Sequence, residues 1–344
     1  MTLKLRIIEE IENNGPMPFE EFMEHALYDP DGFFGGPTLR SEKGGDFLTS
    51  PEVSALFGET LGRYVLRVRD DLGEPFMVVE VAAGSGSLLR PLLEVADVDA
   101  LVMEASPAAR LALDDLVKVA DELPPAIRGV VIANELLDNL PMALAQRVGQ
   151  GWRERWVGAQ GSELTFVDAD PRPEVLDWLD AYVGPVAEGG WVEVQLAARR
   201  WVADVLDRLT QGAVILIDYG DTAENLLPRR GDGTLRTYRA HHLGPHPLAE
   251  PGETDITADV NFTALMDLHP GARLWRQEDF LTDLGLRERL GEFRLRELEA
   301  ARSGNELERL RVRTLKTEAE TLLHPRGLGD FRVLEVRVEG NRDE

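Results

Sequence analysis

The sequence predicts an α/β fold built on a Rossmann-like, mostly parallel sheet with helices on both faces. Four short runs are rich in Val, Ile and Leu and nearly free of polar residues, as in strands that are buried on both faces of a parallel sheet. These runs are residues 76–81, 100–103, 129–133 and 213–217. Segments with helical spacing lie between several of them, which favours an α/β over an all-β fold. Each run ends in a polar or glycine-rich turn, so we expect a ligand site at the carboxyl edge of the sheet.

The other elements follow from the spacing of apolar residues along the chain. Helical spacing covers residues 3–13, 18–28, 53–69, 88–96 and 278–322. Pro107 opens a further predicted helix, because proline suits a first helical turn. Residues 331–338 alternate as a late strand would.

The composition disfavours several classes of function. The chain of 344 residues carries 62 acidic and 37 basic residues, a formal net charge of −25. Such a surface repels phosphate backbones and attracts cations, so nucleic acid is not expected as a partner. There is no cysteine and the six histidines lack zinc-site spacing, so no metal is expected. Early acidic residues argue against a signal peptide, and no apolar run reaches the ~18–20 residues of a membrane span. We therefore expect a cytoplasmic location, or a matrix-like compartment if a targeting segment has been removed, and no membrane contact.

A glycine-rich turn follows the first predicted buried strand, and three classes of ligand use such turns. A P-loop needs a lysine after the last glycine, and none follows Gly86. A dinucleotide fingerprint needs a third glycine at a fixed spacing. Leu89 occupies that position when counting starts from Gly84, and Ser87 occupies it when counting starts from Ala82. Neither phosphate-binding pattern therefore fits.

The pattern that does fit is that of S-adenosylmethionine (SAM). An acid, Glu80, ends the strand, and Ala82, Gly84 and Gly86 take the three turn positions, so we expect Glu80 to hold the α-ammonium group of SAM. Glu104 lies 20 residues after Gly84, at the end of the next strand, where a carboxylate can accept both ribose hydroxyls. The structural alternatives are an ordinary tight turn and a helix-capping acid. NAD would also use Glu104, so an NAD-dependent oxidoreductase stays an alternative that the glycine pattern disfavours.

Several further segments match a known family. They are residues 16–30, 45–59 (from Gly45-Asp46-Phe47-Leu48-Thr49-Ser50-Pro51-Glu52 to Phe57-Gly58-Glu59), 102–107, 133–141, 234–239 and 255–258. On these motifs the chain resembles the MidA-like family of SAM-dependent protein arginine methyltransferases, which includes assembly factors of mitochondrial complex I. The resemblance implies an enzyme with a class I methyltransferase fold, SAM as cofactor and a protein substrate with an exposed arginine. It also implies an N-terminal helical lid over residues 1–60 and a catalytic domain over residues 61–344, with insertions around residues 141–212 and 221–260.

The resemblance also suggests which residues bind and react. Carboxylates that grip a guanidinium orient it and stabilise its developing charge, and Glu135 and Asp138 are the candidates for this role. His241 is a candidate base, although a surface histidine in a loop is the simpler interpretation. The residues expected to contact the cofactor, besides those of the turn and Glu104, are Ala105, Asn134 and the lid residues Asp46, Thr49 and Ser50. Helix capping is the alternative for the lid residues and for the two acids.

The chain departs from the family pattern at three places. Alanine stands at position 82 where the family usually has glycine, and Phe33-Phe34 replaces a tyrosine pair. Asp259 and Asn261 stand where the family often carries histidine and aspartate. These departures keep open an assembly factor without catalysis. A methyltransferase that acts on a small molecule or on a residue other than arginine is a separate alternative. The sequence does not specify the oligomeric state.

Overall fold

The computed structural model describes residues 1–36, 49–239 and 242–340. The helices are α1 (Leu3–Asn14), α2 (Phe19–Tyr28), α3 (Ser50–Val53), α4 (Ala55–Leu72), α5 (Leu89–Val95), α6 (Pro107–Leu113), α7 (Pro173–Tyr182), α8 (Leu196–Arg208), α9 (Ala223–Leu226), α10 (Phe262–Met266), α11 (Gln277–Asp283), α12 (Leu286–Ser303) and α13 (Glu306–Leu322). The strands are β1 (Met17–Pro18), β2 (Met77–Val81), β3 (Asp99–Met103), β4 (Lys118–Ala120), β5 (Ile127–Asn134), β6 (Ala143–Val148), β7 (Gly151–Gln160), β8 (Glu163–Ala169), β9 (Trp191–Val194), β10 (Leu209–Asp218), β11 (Gly220–Asp221), β12 (Arg236–Arg239), β13 (His242–Leu243), β14 (Asp255–Thr257), β15 (Val260–Asn261), β16 (Ala272–Arg276) and β17 (Arg332–Val338).

The central sheet has seven strands in the order β16-β17-β10-β5-β2-β3-β4. The strands from β10 to β4 run parallel, and β17 is antiparallel to both of its neighbours, β10 and β16. The four predicted buried runs are β2, β3, β5 and β10, so the prediction of a mostly parallel sheet is confirmed. Val79, Val131 and Ile215 in the middle of three of these strands are all fully buried, which is why the runs are almost entirely apolar, with Glu80 as the exception. The late strand is present too, as β17.

Helices cover both faces of the central sheet, as predicted. On one face Leu61 and Val65 of α4 pack with Leu92 of α5 in a shared core. On the other face Val202 and Val205 of α8 pack in a second core. Burying each of these side chains contributes about 1.5–3 kcal/mol, and the two cores fix the sheet between the helical layers.

A second sheet is formed by residues 141–212, where the sequence predicted only an insertion, together with the short strand β1 near the N-terminus. Its strands are β1, β7, β6 and β9 in that order, with β8 paired to β7, and every pair is antiparallel. The hydrophobic pattern did not reveal it because charged side chains interrupt the strands. Glu154 in β7 is fully buried and is satisfied by an ion pair with Arg172, with 2.7 Å between Oε1 and Nη2.

The N-terminal helices belong to this second sheet rather than to the central one. Ile7 of α1 and Phe19 and Phe22 of α2 share a buried cluster with residues of β6 and β7. Residues 221–260 also carry short strands, with β13, β12 and β14 forming a small antiparallel sheet. The division at residue 60 stays a prediction, and residue 60 itself lies inside α4. None of the helices in the described ranges has a stretch long and apolar enough to span a bilayer.

Candidate active site

A cavity of about 670 Å³ opens at the carboxyl ends of β2, β3 and β5. Its size is within the range of small-molecule sites, and it lies where parallel sheets bind their ligands. Further walls come from α2 and from the segment that leads into α3. The predicted site residues that line it are Thr49, Glu80, Ala82, Gly84, Glu104, Ala105, Asn134, Glu135 and Asp138.

The turn after β2 is held against the end of β3. Ala82 donates its backbone N–H to the carbonyl of Met103 at 2.9 Å, and Gly84 donates its N–H to Oε2 of Glu104 at 3.0 Å. The other oxygen of Glu104 accepts the N–H of Ser106 at 2.8 Å. Glu104 is 9% exposed, and burial raises the pKa of its carboxyl above the ordinary value. These bonds fix the carboxylate at the rim of the turn, ready to accept hydroxyl donors.

Three residues of this turn, Ala82, Gly84 and Gly86, have backbone angles that favour glycine. Gly84 has φ +54°, and Ala82 has φ +58° although it carries a side chain. The departure from the family pattern at position 82 therefore leaves an alanine in the left-handed conformation, which costs about 1–2 kcal/mol.

Gly86, unlike Ala82 and Gly84, does not line the cavity. It has φ +79°, and a Cβ built there would lie 2.9 Å from Cδ2 of Leu113 and 3.3 Å from Cδ2 of Leu116. Its small size lets the turn pack against these leucines, and its contact with the cofactor stays a prediction.

The surroundings of Glu80 show whether the cavity fits the ammonium group of the expected cofactor. Its side chain is 2% exposed and lines the cavity, and its Oε2 has no hydrogen-bond partner among the described residues. Burial, and then the nearby Glu104, raise the pKa of the carboxyl well above its ordinary value. An ammonium group in the cavity would satisfy this oxygen and compensate its charge, so the residues present fit the α-ammonium of SAM.

A second group of acids follows β5. Glu135 has φ +51°, and its backbone N–H donates to the carbonyl of Ile217 in β10 at 2.8 Å. Its Oε1 accepts from Nδ2 of Asn134 at 3.2 Å, whereas Oδ1 of Asn134 is buried without a partner among the described residues. Burial, reinforced by Asp138, raises the pKa of Glu135 to about 8. A non-glycine residue in this backbone region is uncommon and is characteristic of functional sites.

Asp138 is held in place by an aspartate that the sequence analysis did not single out. Asp218 at the end of β10 is fully buried, and its Oδ2 accepts the N–H groups of Leu137 at 2.9 Å and Asp138 at 3.2 Å. Its Oδ1 accepts the N–H of Tyr219 at 2.9 Å. Burial raises the pKa of both carboxyls. Asp218 thus ties the acidic turn to the neighbouring strand.

The downstream motif at residues 255–258 reaches the same place. The hydroxyls of Tyr219 and Thr257 both hydrogen-bond Oδ2 of Asp138. Asn139 donates Nδ2 to Oδ1 of Asp255 at 2.7 Å and to the carbonyl of Ile256 at 3.1 Å. The sequence analysis assigned no role to Tyr219 or Thr257, and their separation along the chain gave no signal of this contact.

The other predicted site residues do not all line the cavity. Thr49 lines the cavity, but Ser50 does not: it is fully buried and exchanges hydrogen bonds with Gln277. Asp46 and His241 lie outside the described residues.

The remaining departures from the family pattern lie away from the cavity, except Phe34, which is part of its lining. Asp259 forms an ion pair with Arg229. Asn261 donates Nδ2 to the carbonyl of Tyr182 at 2.9 Å. Asp259 and Asn261 therefore stabilise the insertion and leave the acids of the cavity unchanged.

The charged residues in the described lining of the cavity are all acidic. The acidic residues of its lining are Glu24, Glu52, Glu80, Glu104, Asp121, Glu135, Asp138 and Asp255. No Lys, Arg or His is among the described residues that line it. Such a lining favours ligands that carry more than one positive charge.

Comparison with known proteins identifies the family. Residues 60–276, more than half of the chain, match the sequence profile of S-adenosyl-L-methionine-dependent methyltransferases. The protein belongs to this family. The methyltransferase aligns with a Burkholderia thailandensis protein, solved with S-adenosyl-homocysteine bound, at a TM-score of 0.86 and 28% identity, covering 98% of this chain and 92% of that chain. The predictions of SAM as cofactor and of a class I methyltransferase fold are therefore confirmed, and the NAD alternative is dismissed.

Named relatives resemble this methyltransferase over most of its length. It is 28% identical to the Homo sapiens protein arginine methyltransferase NDUFAF7, mitochondrial, over 83% of this chain and 73% of the relative. It is 27% identical to the Drosophila melanogaster homolog, over 76% of this chain and 68% of the relative. Both relatives are mitochondrial by name, so the prediction of a cytoplasmic location is wrong. Composition and an N-terminus with early acidic residues gave no information about the organelle.

Proposed function

We propose that this methyltransferase transfers a methyl group from SAM to a guanidinium nitrogen of an arginine in a protein. The observation that carries the proposal is the acid-lined cavity without a basic residue among its described lining. SAM brings two positive charges, on its sulfonium and its ammonium, against one negative charge on its carboxylate, and arginine brings a further positive charge. The names of the relatives, protein arginine methyltransferases, support the same acceptor.

The two pairs of acids would bind different ligands: Glu80 and Glu104 the cofactor, and Glu135 and Asp138 the acceptor. Glu80 would hold the ammonium of SAM and Glu104 its ribose hydroxyls, with Ala82, Gly84, Ala105 and Asn134 forming the wall between them. When bound, SAM supplies an electrophilic methyl group for in-line displacement. The chain mainly has to position the acceptor and exclude water.

Glu135 and Asp138 would hold the guanidinium. A carboxylate that accepts two N–H groups orients the planar guanidinium and stabilises its charge. Free guanidinium stays protonated (pKa above ~12), so the nitrogen must lose a proton as the new bond forms. Glu135, whose pKa burial raises to about 8, is suited to take that proton near neutral pH.

The test is methyl transfer from radiolabelled SAM to peptides. Two pools of otherwise random peptides are compared, one with arginine and one with lysine at the same fixed position. We expect label on methylarginine from the first pool only, and a loss of at least about 100-fold for Asp138→Asn, in line with removal of a charged group that acts on the acceptor. Saturable SAM binding without turnover on protein extracts or peptides would instead support the non-catalytic assembly factor, and label on metabolites alone would support a small-molecule acceptor.

A further inference from the structure

Asp138 uses only one of its two carboxylate oxygens inside the protein. Oδ2 receives two hydroxyl groups, from Tyr219 and from Thr257, which also contact each other. Oδ1 has no hydrogen-bond partner among the described residues, and solvent does not replace one, because Asp138 is only 3% exposed.

This distribution is unusual for a purely structural carboxylate. Buried carboxylate oxygens are normally satisfied, because an unpaired buried acceptor is costly. Because Tyr219 and Thr257 both donate to Oδ2, Oδ1 stays unpaired. It is therefore available to a donor from the cavity, which Asp138 lines. No Lys, Arg or His is among the described residues of the lining, so Oδ1 is open to a cationic donor that a ligand brings.

We propose that Tyr219 and Thr257 are positioning residues, which hold Asp138 so that its Oδ1 receives an N–H group of the acceptor guanidinium. The inference rests on the proposed transfer to arginine. The three residues come from three separate places: the turn after β5, the end of β10, and β14 in the insertion. The insertion around residues 221–260 thereby gains a role, because it carries Thr257 to the site.

Hydrogen bonds to the residues next to Thr257 support this positioning role. Asn139, next to Asp138, donates Nδ2 to Asp255 and to the carbonyl of Ile256, so it joins the acidic turn to the two residues of β14 that precede Thr257. Tyr28 of α2 donates its hydroxyl to the carbonyl of Asn139 at 3.2 Å. The position of Asp138 relative to the rest of the cavity is therefore set by side chains from several elements at once.

The experiment measures how tightly a guanidinium binds to the full chain saturated with S-adenosyl-homocysteine. The probe is N-acetyl-arginine amide, with N-acetyl-lysine amide as the control ligand, and binding is followed by calorimetry. We expect Tyr219→Phe and Thr257→Val each to weaken binding of the arginine probe roughly three- to tenfold, the effect of one lost hydrogen bond. Thr257→Ser keeps the hydroxyl and should bind as the unaltered chain does. The affinity for S-adenosyl-homocysteine should stay the same in all variants.

The outcomes separate the two proposals. If the unaltered chain binds the arginine probe and Tyr219→Phe and Thr257→Val bind it equally well, the positioning role is refuted while the proposed function stands. If the unaltered chain prefers the lysine probe or binds neither, the arginine acceptor fails and the positioning role fails with it. Equal weakening in Thr257→Ser and Thr257→Val would show that the hydroxyl is irrelevant. Circular dichroism confirms folding, and Tyr219→Phe gives an independent result if Thr257→Val does not fold.

Discussion

Replacing Ala82 by glycine should stabilise the protein, although glycine normally destabilises. Ala82 has φ +58°, and an L-residue with a side chain loses about 1–2 kcal/mol in that conformation. Glycine relieves this strain but makes the unfolded chain more flexible, which costs about 0.4–1 kcal/mol. The difference predicts that Ala82→Gly raises the free energy of unfolding by about 0.5–1 kcal/mol.

The matched control is Ala83→Gly in the same turn. Ala83 also lines the cavity and is 7% exposed, but it is not among the residues with positive φ. This variant gains no relief of strain and loses a buried methyl group, so it should be destabilised by about 1–2 kcal/mol. Urea unfolding without cofactor measures both variants, and calorimetry should show that Ala82→Gly binds SAM at least as tightly as the unaltered chain. Destabilisation of Ala82→Gly by as much as Ala83→Gly would refute the assignment of strain to Ala82.

Three further predictions concern the turn and the acids. Gly86→Ala should destabilise the fold by about 1–3 kcal/mol more than Gly73→Ala: both glycines have positive φ, but only at Gly86 would a Cβ clash, 2.9 Å from Leu113. Urea midpoints measure this, and equal losses would show that packing at Gly86 is unimportant. Glu104→Gln should weaken SAM binding about 100-fold in calorimetry if the carboxylate accepts two ribose hydroxyls; unchanged affinity would remove Glu104 from the cofactor site. Glu135 has a folded-state pKa of about 8 against an ordinary value of 4.5, so its contribution to the stability of the ligand-free protein should be present below pH 4.5 and lost as pH rises through 8. Urea midpoints between pH 5 and 9 should therefore fall less steeply with pH in Glu135→Gln, and parallel curves would contradict the raised pKa.

The elements that could be predicted are those whose pattern comes from burial on both faces. The strand at residues 213–217 is an uninterrupted apolar run, and the strand at residues 77–81 is apolar except for the site residue Glu80, because the central sheet encloses both. The second sheet could not be predicted in the same way. Its strand β7 places the charged Glu154 in the interior, and the neutralising partner, Arg172, is 18 residues away and not visible in any local pattern.

The site residues also fall into those that could be predicted from sequence and those that could not. Residues that directly follow a buried strand, such as Glu104 and Glu135, were predictable because strand ends meet at one edge of the sheet. The packing of Gly86 against Leu113 could not be predicted, because the spacing of glycines does not show which side chains will lie against the turn. Tyr219 and Thr257 were not assigned because their contact with Asp138 spans 81 and 119 residues of sequence.

The acid-lined cavity has a consequence for turnover. Under the proposed reaction, the sulfonium becomes a neutral thioether, while the arginine is cationic before the reaction and again cationic after it has released a proton. The ligands thus carry one positive charge fewer after transfer than before it, whereas the carboxylates of the wall remain, apart from Glu135, which holds the released proton until it passes to solvent. Electrostatic attraction between the wall and its contents falls at the moment the products form. The same acids that gather the reactants therefore favour release of the spent cofactor and its exchange for fresh SAM.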